Sequence, residues 1–137
     1  NWNNDPNGLC WFKGYYHLFY QLNPFKQEWN NIYWGHAASR DLVHWIHLPV
    51  VLEPQEEILD NLAIKGGAFS GSALPMGEEV YFYLTRHIGP QDDGWDTIQY
   101  QTMTKSSDMI HFKPEKEIIR EKMSEYIIVE KIMNLIM

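Results

Sequence analysis

The sequence predicts an all-β fold built from repeated four-stranded units, and three observations carry that reading. Short runs of aromatic and β-branched residues alternate with turn signals at tight spacing from residue 9 to residue 112. The string Ser39-Arg40-Asp41-Leu42-Val43-His44-Trp45 returns as Ser106-Ser107-Asp108-Met109-Ile110-His111-Phe112, so Ser-x-Asp-Φ-Φ-His-aromatic occupies matching positions of two units. All nine Gly and all seven Pro occur by Pro114, which sets residues 115–137 apart from what precedes them. Repeated four-stranded units with a signature near the last strand are the sequence mark of a β-propeller.

In chain order, the first eight residues read Asn1-Trp2-Asn3-Asn4-Asp5-Pro6-Asn7-Gly8. Pro6 fixes its own φ and drives Asp5 towards extended geometry. Asn7 and Gly8 both tolerate positive φ. The stretch therefore reads as a short strand ending in a rigid turn, with Asp5 presented at its end. Residues 9–12 form a buried strand, Lys13-Gly14 a hairpin turn, and residues 15–21 the return strand. Asn23-Pro24-Phe25 breaks that strand, and a polar loop carrying Trp29 runs to Asn31. Residues 33–39 make a third strand. Residues 41–45 turn into a fourth, which ends before Pro49. A second unit follows the same scheme: a strand at 67–73, a turn at Pro75-Met76-Gly77, and a strand at 80–85. A polar loop holding Trp95 spans 89–96, a strand covers 98–104, and the repeated turn comes next. Beyond Pro114, Ile119, Met123, Tyr126 and Ile127 fall near helical spacing. Residues 115–137 are thus expected to be a marginal helix or a disordered tail outside the propeller, with the boundary at 114.

Composition bounds the function. The 137 residues suit one ordinary domain. A net charge of −7 argues against nucleic acid, whose recognition needs basic patches. Aromatic residues make up 15% of the chain, which suits both sugar-stacking platforms and a β core. Cys10 is the only cysteine, so no intrachain disulfide is expected, and the balance leans to a reducing, cytoplasmic setting over a secreted one. No run is apolar and long enough to suggest a membrane span or a signal peptide. The six His lack metal-ligand spacing; His44 and His47 on one strand point to opposite faces. No Gly-rich phosphate loop occurs, and Ser70 lacks the Gly-x-Ser-x-Gly elbow. Neither cofactor nor metal is expected.

Asp5 is the carboxylate that stands out, because amides and an indole crowd it in sequence. Asn4 and Asn7 can donate hydrogen bonds to a sugar or to the carboxylate, and Trp2 can supply a flat apolar wall. A bare Asp-Pro-Asn-Gly also reads as an Asx-type turn capping a hairpin. By themselves Phe69 reads first as core and Gln21 first as a polar strand end, while Trp29 reads equally as core or as a wall.

Trp2-x-Asn4-Asp5-Pro6-Asn7-Gly8 resembles the signature of glycoside hydrolase family 32, with Asn3 where the family usually has Met or Leu. Further elements resemble the family in its own order: Tyr20-Gln21-x-Asn23-Pro24, Trp29, Trp34-Gly35-His36-Ala37, Ser39 to Trp45, and Phe69-Ser70-Gly71-Ser72. Together they cover residues 1–113. The resemblance implies a five-bladed propeller, of which residues 1–114 make about the first two blades. It implies retaining hydrolysis of terminal fructose from sucrose, sucrose 6-phosphate or a fructan. Under it Asp5 is the nucleophile. Asn4, Gln21 and Ser70 bind fructosyl hydroxyls, and Trp2, Trp29 and Phe69 wall the pocket. The family's Arg-Asp-Pro and Glu-Cys motifs have no counterpart in the 137 residues; Arg40-Asp41 is followed by Leu42, and Cys10 follows Leu9. The expectation is an N-terminal part of a β-fructosidase, inactive by itself. The alternative is a non-catalytic remnant or a weak fructoside-binding module. Hydrolase and transfructosylase are not separated by these residues.

Overall fold

A computed structural model describes residues 1–61, 63–89 and 97–123. The elements run β1 (Trp2–Phe12), β2 (Tyr15–Asn23), β3 (Asn31–Ser39), β4 (Trp45–Leu52), α1 (Glu56–Asp60), β5 (Gly66–Met76), β6 (Glu79–Ile88), β7 (Thr97–Ser106) and β8 (Lys116–Met123). Strands β1 to β4 pair antiparallel in chain order, and so do β5 to β8. Each set is one four-stranded blade. The blades meet where β3 runs parallel to β5, with Asn31 opposite Gly66 and Ile32 opposite Gly67.

Local chemistry explains the elements. Lys13 and Gly14 both take positive φ, at 47° and 85°, which is the twist a two-residue hairpin needs. Along β2, His17, Phe19, Gln21 and Asn23 are buried while the residues between them are half-buried, the period-2 pattern of a strand with two unequal faces. β3 is buried from Ile32 to Ser39, as a strand flanked on both sides should be. At the seam, a Cβ on Gly67 would lie 2.2 Å from the Ile32 carbonyl oxygen, so only glycine lets the two backbones pair there.

The core lies between the blades. Phe19 and Trp34 of the first blade pack with Val80, Phe82 and Leu84 of the second and with Met109. Phe19 meets Phe82 edge-to-face at 5.2 Å. Each such side chain contributes roughly 1.5–3 kcal/mol through burial, so the blades are held face to face mainly by apolar packing.

The repeated heptapeptide is a repeated turn. Ser39 Oγ accepts from the Leu42 backbone N–H at 2.9 Å, and Asp41 Oδ1 accepts from the N–H groups of Val43 and His44. Ser106 and Asp108 make the same bonds to Met109, Ile110 and His111. Leu42 and Met109 share a positive φ, at 63° and 65°. Both turns join the third strand of a blade to the fourth, as the repeat required. The His44 side chain, with backbone N–H groups of the turn, holds the Asp41 carboxyl well below the usual carboxylate range. For Asp108 the His111 backbone N–H leads the same effect.

Several expectations need correction. Asn7-Gly8 does not end a strand: β1 continues to Phe12 and absorbs the motif in two register shifts, between Asn3 and Pro6 and between Asn7 and Cys10. Leu9 and Trp11 are exposed, so residues 9–12 alternate and are not buried throughout. β4 runs past Pro49, which is tolerated because β4 is, among the described residues, an edge strand paired with β3 alone. β5 reaches Met76, and the turn falls at Gly77 and Glu78. Residues 116–123 are a strand where a helix or disorder was expected. Helical spacing was outweighed by the open edge of β7, whose backbone groups pair with β8 from Thr97 to Met103. Glu115, expected in the tail, forms an ion pair with the buried Arg86 and accepts from Thr102 Oγ1 at 2.7 Å. The loop around Trp95 and residues 124–137 lie outside the described residues.

A buried imidazole pair makes the fold acid-sensitive. His17 Nδ1 lies 3.0 Å from His36 Nε2, and His36 stacks on Phe19 at 4.3 Å. Burial, with the His17 ring beside it, pushes the His36 pKa down to about 4 from 6.5. A folded-state pKa below the unfolded one stabilises the fold while the ring is neutral. That contribution is full above about pH 6.5 and is lost as pH falls towards 4, because the unfolded chain takes up the proton first. At about 1.4 kcal/mol per unit the loss is on the order of 3 kcal/mol. Denaturant titrations at pH 7.5 and 4.5 are expected to show wild type losing more stability than His36→Gln by that order. Equal losses would remove His36 as the cause.

Candidate active site

The two inner strands, β1 and β5, lie side by side, and both are irregular at the positions that matter. On β1, Asn4 and Asp5 fall within the register shift between Asn3 and Pro6. On β5, Phe69 and Ser70 fall within the shift between Ala68 and Gly71. A β-bulge re-aims side chains that regular pleating would send to opposite faces. Between these stretches sits Gln21 of β2, only 4% exposed.

A line of hydrogen bonds crosses the two blades through Gln21. Trp2 Nε1 donates to Asn4 Oδ1 at 3.1 Å. Asn4 Nδ2 donates to Gln21 Oε1 at 2.7 Å. Gln21 Nε2 donates to Ser70 Oγ at 3.1 Å. Asn7 adds a longer link, its Oδ1 accepting from the Gly71 N–H at 3.4 Å. Asp5, next to Asn4, is exposed. The aromatic candidates form a second group. Trp29 meets Phe69 edge-on, with ring centroids 5.9 Å apart. Trp34 Nε1 donates to the Phe69 carbonyl at 2.8 Å, fixing the backbone beside Ser70.

The structure thus joins Trp2, Asn4, Gln21 and Ser70 by hydrogen bonds, and Trp29 to Phe69 by ring contact. The two groups meet at the Phe69-Ser70 peptide, and Asp5 adjoins the first through Asn4. An exposed carboxylate beside an amide–hydroxyl line and a partly exposed aromatic pair suits a ligand rich in hydroxyls. A broad hollow of about 730 Å³ lies elsewhere, lined by Leu18, Tyr20, Leu22, Ala37, Trp45 and His47 among others. It touches Asn4 but not Asp5, Gln21 or Ser70, and Leu18, Tyr20 and Leu22 alternate along β2 with Gln21. It belongs to the opposite face of the first blade, and the site is assigned to the hydrogen-bonded cluster.

Residues 1–129 match the family model described as the glycosyl hydrolases family 32 N-terminal domain. The chain belongs to glycosyl hydrolase family 32. A sucrose-6-phosphate hydrolase of Zymomonas mobilis subsp. mobilis is 47% identical over 122 residues, which is 88% of this chain and 23% of that protein. Beta-fructofuranosidase 1 of Zea mays is 53% identical over 85 residues, or 61% of this chain and 12% of that protein. The structure of a glycoside hydrolase family 32 protein from Bifidobacterium adolescentis superposes with a TM-score of 0.80 at 46% identity, over 88% of this chain and 21% of that one. The match therefore spans 12% to 23% of the length of these family 32 relatives. The family model extends past residue 114, in keeping with β8 continuing the second blade.

Two neighbours of this candidate site were not evident from sequence. His87 of β6 stacks flat on Phe69, with centroids 4.3 Å apart and planes 9° apart. Gln99 of β7 places Nε2 2.9 Å from His87 Nδ1. Both depend on strand register, and no motif marks them.

Gln21 is expected to matter for stability as well as for the site. Gln21→Met keeps the length and removes both bonds, leaving the Asn4 amide and the Ser70 hydroxyl without their shared partner. A loss of about 1–3 kcal/mol is expected in denaturant unfolding. Unchanged stability would show that the bridge adds nothing to the fold.

Proposed function

We propose that this chain works as part of a longer family 32 β-fructosidase, cleaving terminal β-D-fructofuranosyl residues from sucrose, sucrose 6-phosphate or a fructan with retention. Strands β1 to β8, residues 2–123, contribute the first two blades of its catalytic propeller. One observation carries the reading: Asp5 stands beside an amide–hydroxyl line that draws on both blades, in a chain whose family is established. The names of the Zymomonas mobilis and Zea mays relatives, a sucrose-6-phosphate hydrolase and a beta-fructofuranosidase, support the substrate class.

Retaining hydrolysis needs two carboxyl groups about 5–5.5 Å apart, a nucleophile and an acid/base. In this reading the Asp5 carboxylate attacks the anomeric carbon of the fructosyl unit. The glycosidic C–O bond breaks as an acid group protonates the leaving oxygen, and a fructosyl–Asp5 ester forms. Water, deprotonated by the same group, then releases fructose. Asn4, Gln21 and Ser70 hold fructosyl hydroxyls during both steps, while Trp2, Trp29 and Phe69 shed water from the sugar faces. No Glu-Cys pair occurs in the 137 residues, so the acid/base comes from outside them.

Asp5→Asn in the complete protein is expected to lower kcat for sucrose by at least about 10⁴-fold, while fructose binding by calorimetry stays within a few-fold. A near wild-type rate would make Asp5 a turn residue only. The isolated 137-residue chain is expected to release no glucose from sucrose above the Asp5→Ala background, since general acid–base catalysis alone supplies about 10²–10⁴-fold. Turnover at enzyme rates that vanishes in Asp5→Ala would contradict the need for an acid/base outside these residues.

A further inference from the structure

We propose that His87 is a positioning residue for the fructosyl site: it sets the plane of the Phe69 ring and so of the sugar-facing wall. The inference rests on the reading of Asp5, Ser70 and Phe69 as parts of that site.

Phe69 is held in part by its own strand and in part by its neighbours. It lies in the irregular stretch of β5, where ladder pairing to β6 does not fix its direction. Its backbone is tied by the Trp34 indole. Its ring is only partly buried, and Trp29 meets it edge-on with centroids 5.9 Å apart, a looser contact than a flat stack. The flat contact comes from the His87 imidazole, at 4.3 Å and 9°. A planar partner at that distance restrains tilt, because a tilted ring would collide with it on one side and lose contact on the other.

His87 is itself locked. It is 9% exposed and sits on β6 between Gly67 of β5 and Gln99 of β7. The Gln99 amide nitrogen faces Nδ1, so Nδ1 accepts and the ring proton resides on Nε2. Gln55 Nε2 donates to the His87 carbonyl at 3.2 Å, fixing the backbone from the segment between the blades. Burial lowers the His87 pKa, so the ring is neutral at neutral pH and the contact is a stack between two uncharged rings. The chain of restraint runs from Gln99 through His87 to Phe69. Phe69 adjoins Ser70, the residue whose hydroxyl accepts from the Gln21 amide, so the wall and that hydroxyl stand on one short stretch of β5.

A branched aliphatic at position 87 fills the space without defining a plane, whereas phenylalanine restores the plane without the hydrogen bond. The test uses the complete protein with sucrose as substrate, and the melting temperature of each variant is recorded alongside. His87→Leu is expected to raise KM by roughly threefold to tenfold with kcat within about twofold, the pattern of lost binding common to ground and transition states. His87→Phe is expected to return KM to within about twofold of wild type. Gln99→Leu frees the imidazole without removing it and is expected to raise KM by about twofold, which keeps the test open if His87→Leu does not fold. An unchanged KM in His87→Leu, or in Gln99→Leu where His87→Leu is not folded, overturns the proposal. So does an equal rise in His87→Leu and His87→Phe, since the ring plane would then be irrelevant. Asp5→Asn separates the two levels. Wild-type turnover in that variant overturns the site reading itself, whereas its loss beside an unchanged KM in His87→Leu overturns only the positioning role.

Discussion

The candidate site is tied together by one side chain, the buried amide of Gln21. Its oxygen accepts a hydrogen bond from Asn4 on β1, and its nitrogen donates one to Ser70 on β5. An amide can do both, accepting at one end and donating at the other. Because β1 and β5 belong to different blades, the amide sets the spacing of the inner strands on which the candidate ligand residues sit. Each bond is worth only about 1 kcal/mol net. The apolar contacts of Phe19, Trp34 and Phe82 supply far more. Packing therefore decides that the blades stay together, and the directional amide decides where Asn4 and Ser70 stand. That spacing rests in turn on the seam, where Gly67 lets β5 approach the Ile32 backbone.

The two irregular stretches give the amide something to connect. In a regular strand, adjacent residues point to opposite faces. The shifts on β1 and β5 release Asn4 and Asp5, and Phe69 and Ser70, from that rule. The other conspicuous acids serve a different purpose. Asp41 and Asp108 are exposed, but their carboxylates are spent on backbone N–H groups of their own turns. Their low pKa values report turn structure and not a catalytic role. Exposure is thus shared by Asp5, Asp41 and Asp108, and surroundings separate them: of the three, Asp5 alone adjoins an amide line that spans the blades.

Much of this was legible in the sequence. Strands β1 to β7 and both Ser-x-Asp turns follow from alternation, turn residues and the repeat. The identity of the family follows from ordered motifs between Trp2 and Ser72. What was lost depends on partners distant in sequence. β8 forms because β7 offers an open edge, and no local pattern in Lys116 to Met123 announces that edge. Gly8 reads locally as a turn residue, yet its φ of 52° serves a bulge within a strand. Pro49 reads as a strand end, yet an edge strand accommodates it. The Phe69–His87 stack is invisible because it depends on a register shift between β5 and β6, and such shifts leave no composition signature. The Asn4–Gln21–Ser70 line was legible as a set of residues but not as a connected bridge.

The most direct measurement is a crystal structure of the complete protein carrying Asp5→Asn, soaked with sucrose. The account predicts a fructosyl unit whose anomeric carbon faces the residue 5 side chain. Its hydroxyls lie within hydrogen-bond distance of Asn4, Gln21 and Ser70, with the Phe69 ring against one sugar face. A fructosyl unit bound away from residue 5, for instance in the hollow lined by Leu18, Tyr20 and His47, with the Gln21 bridge untouched, would contradict it.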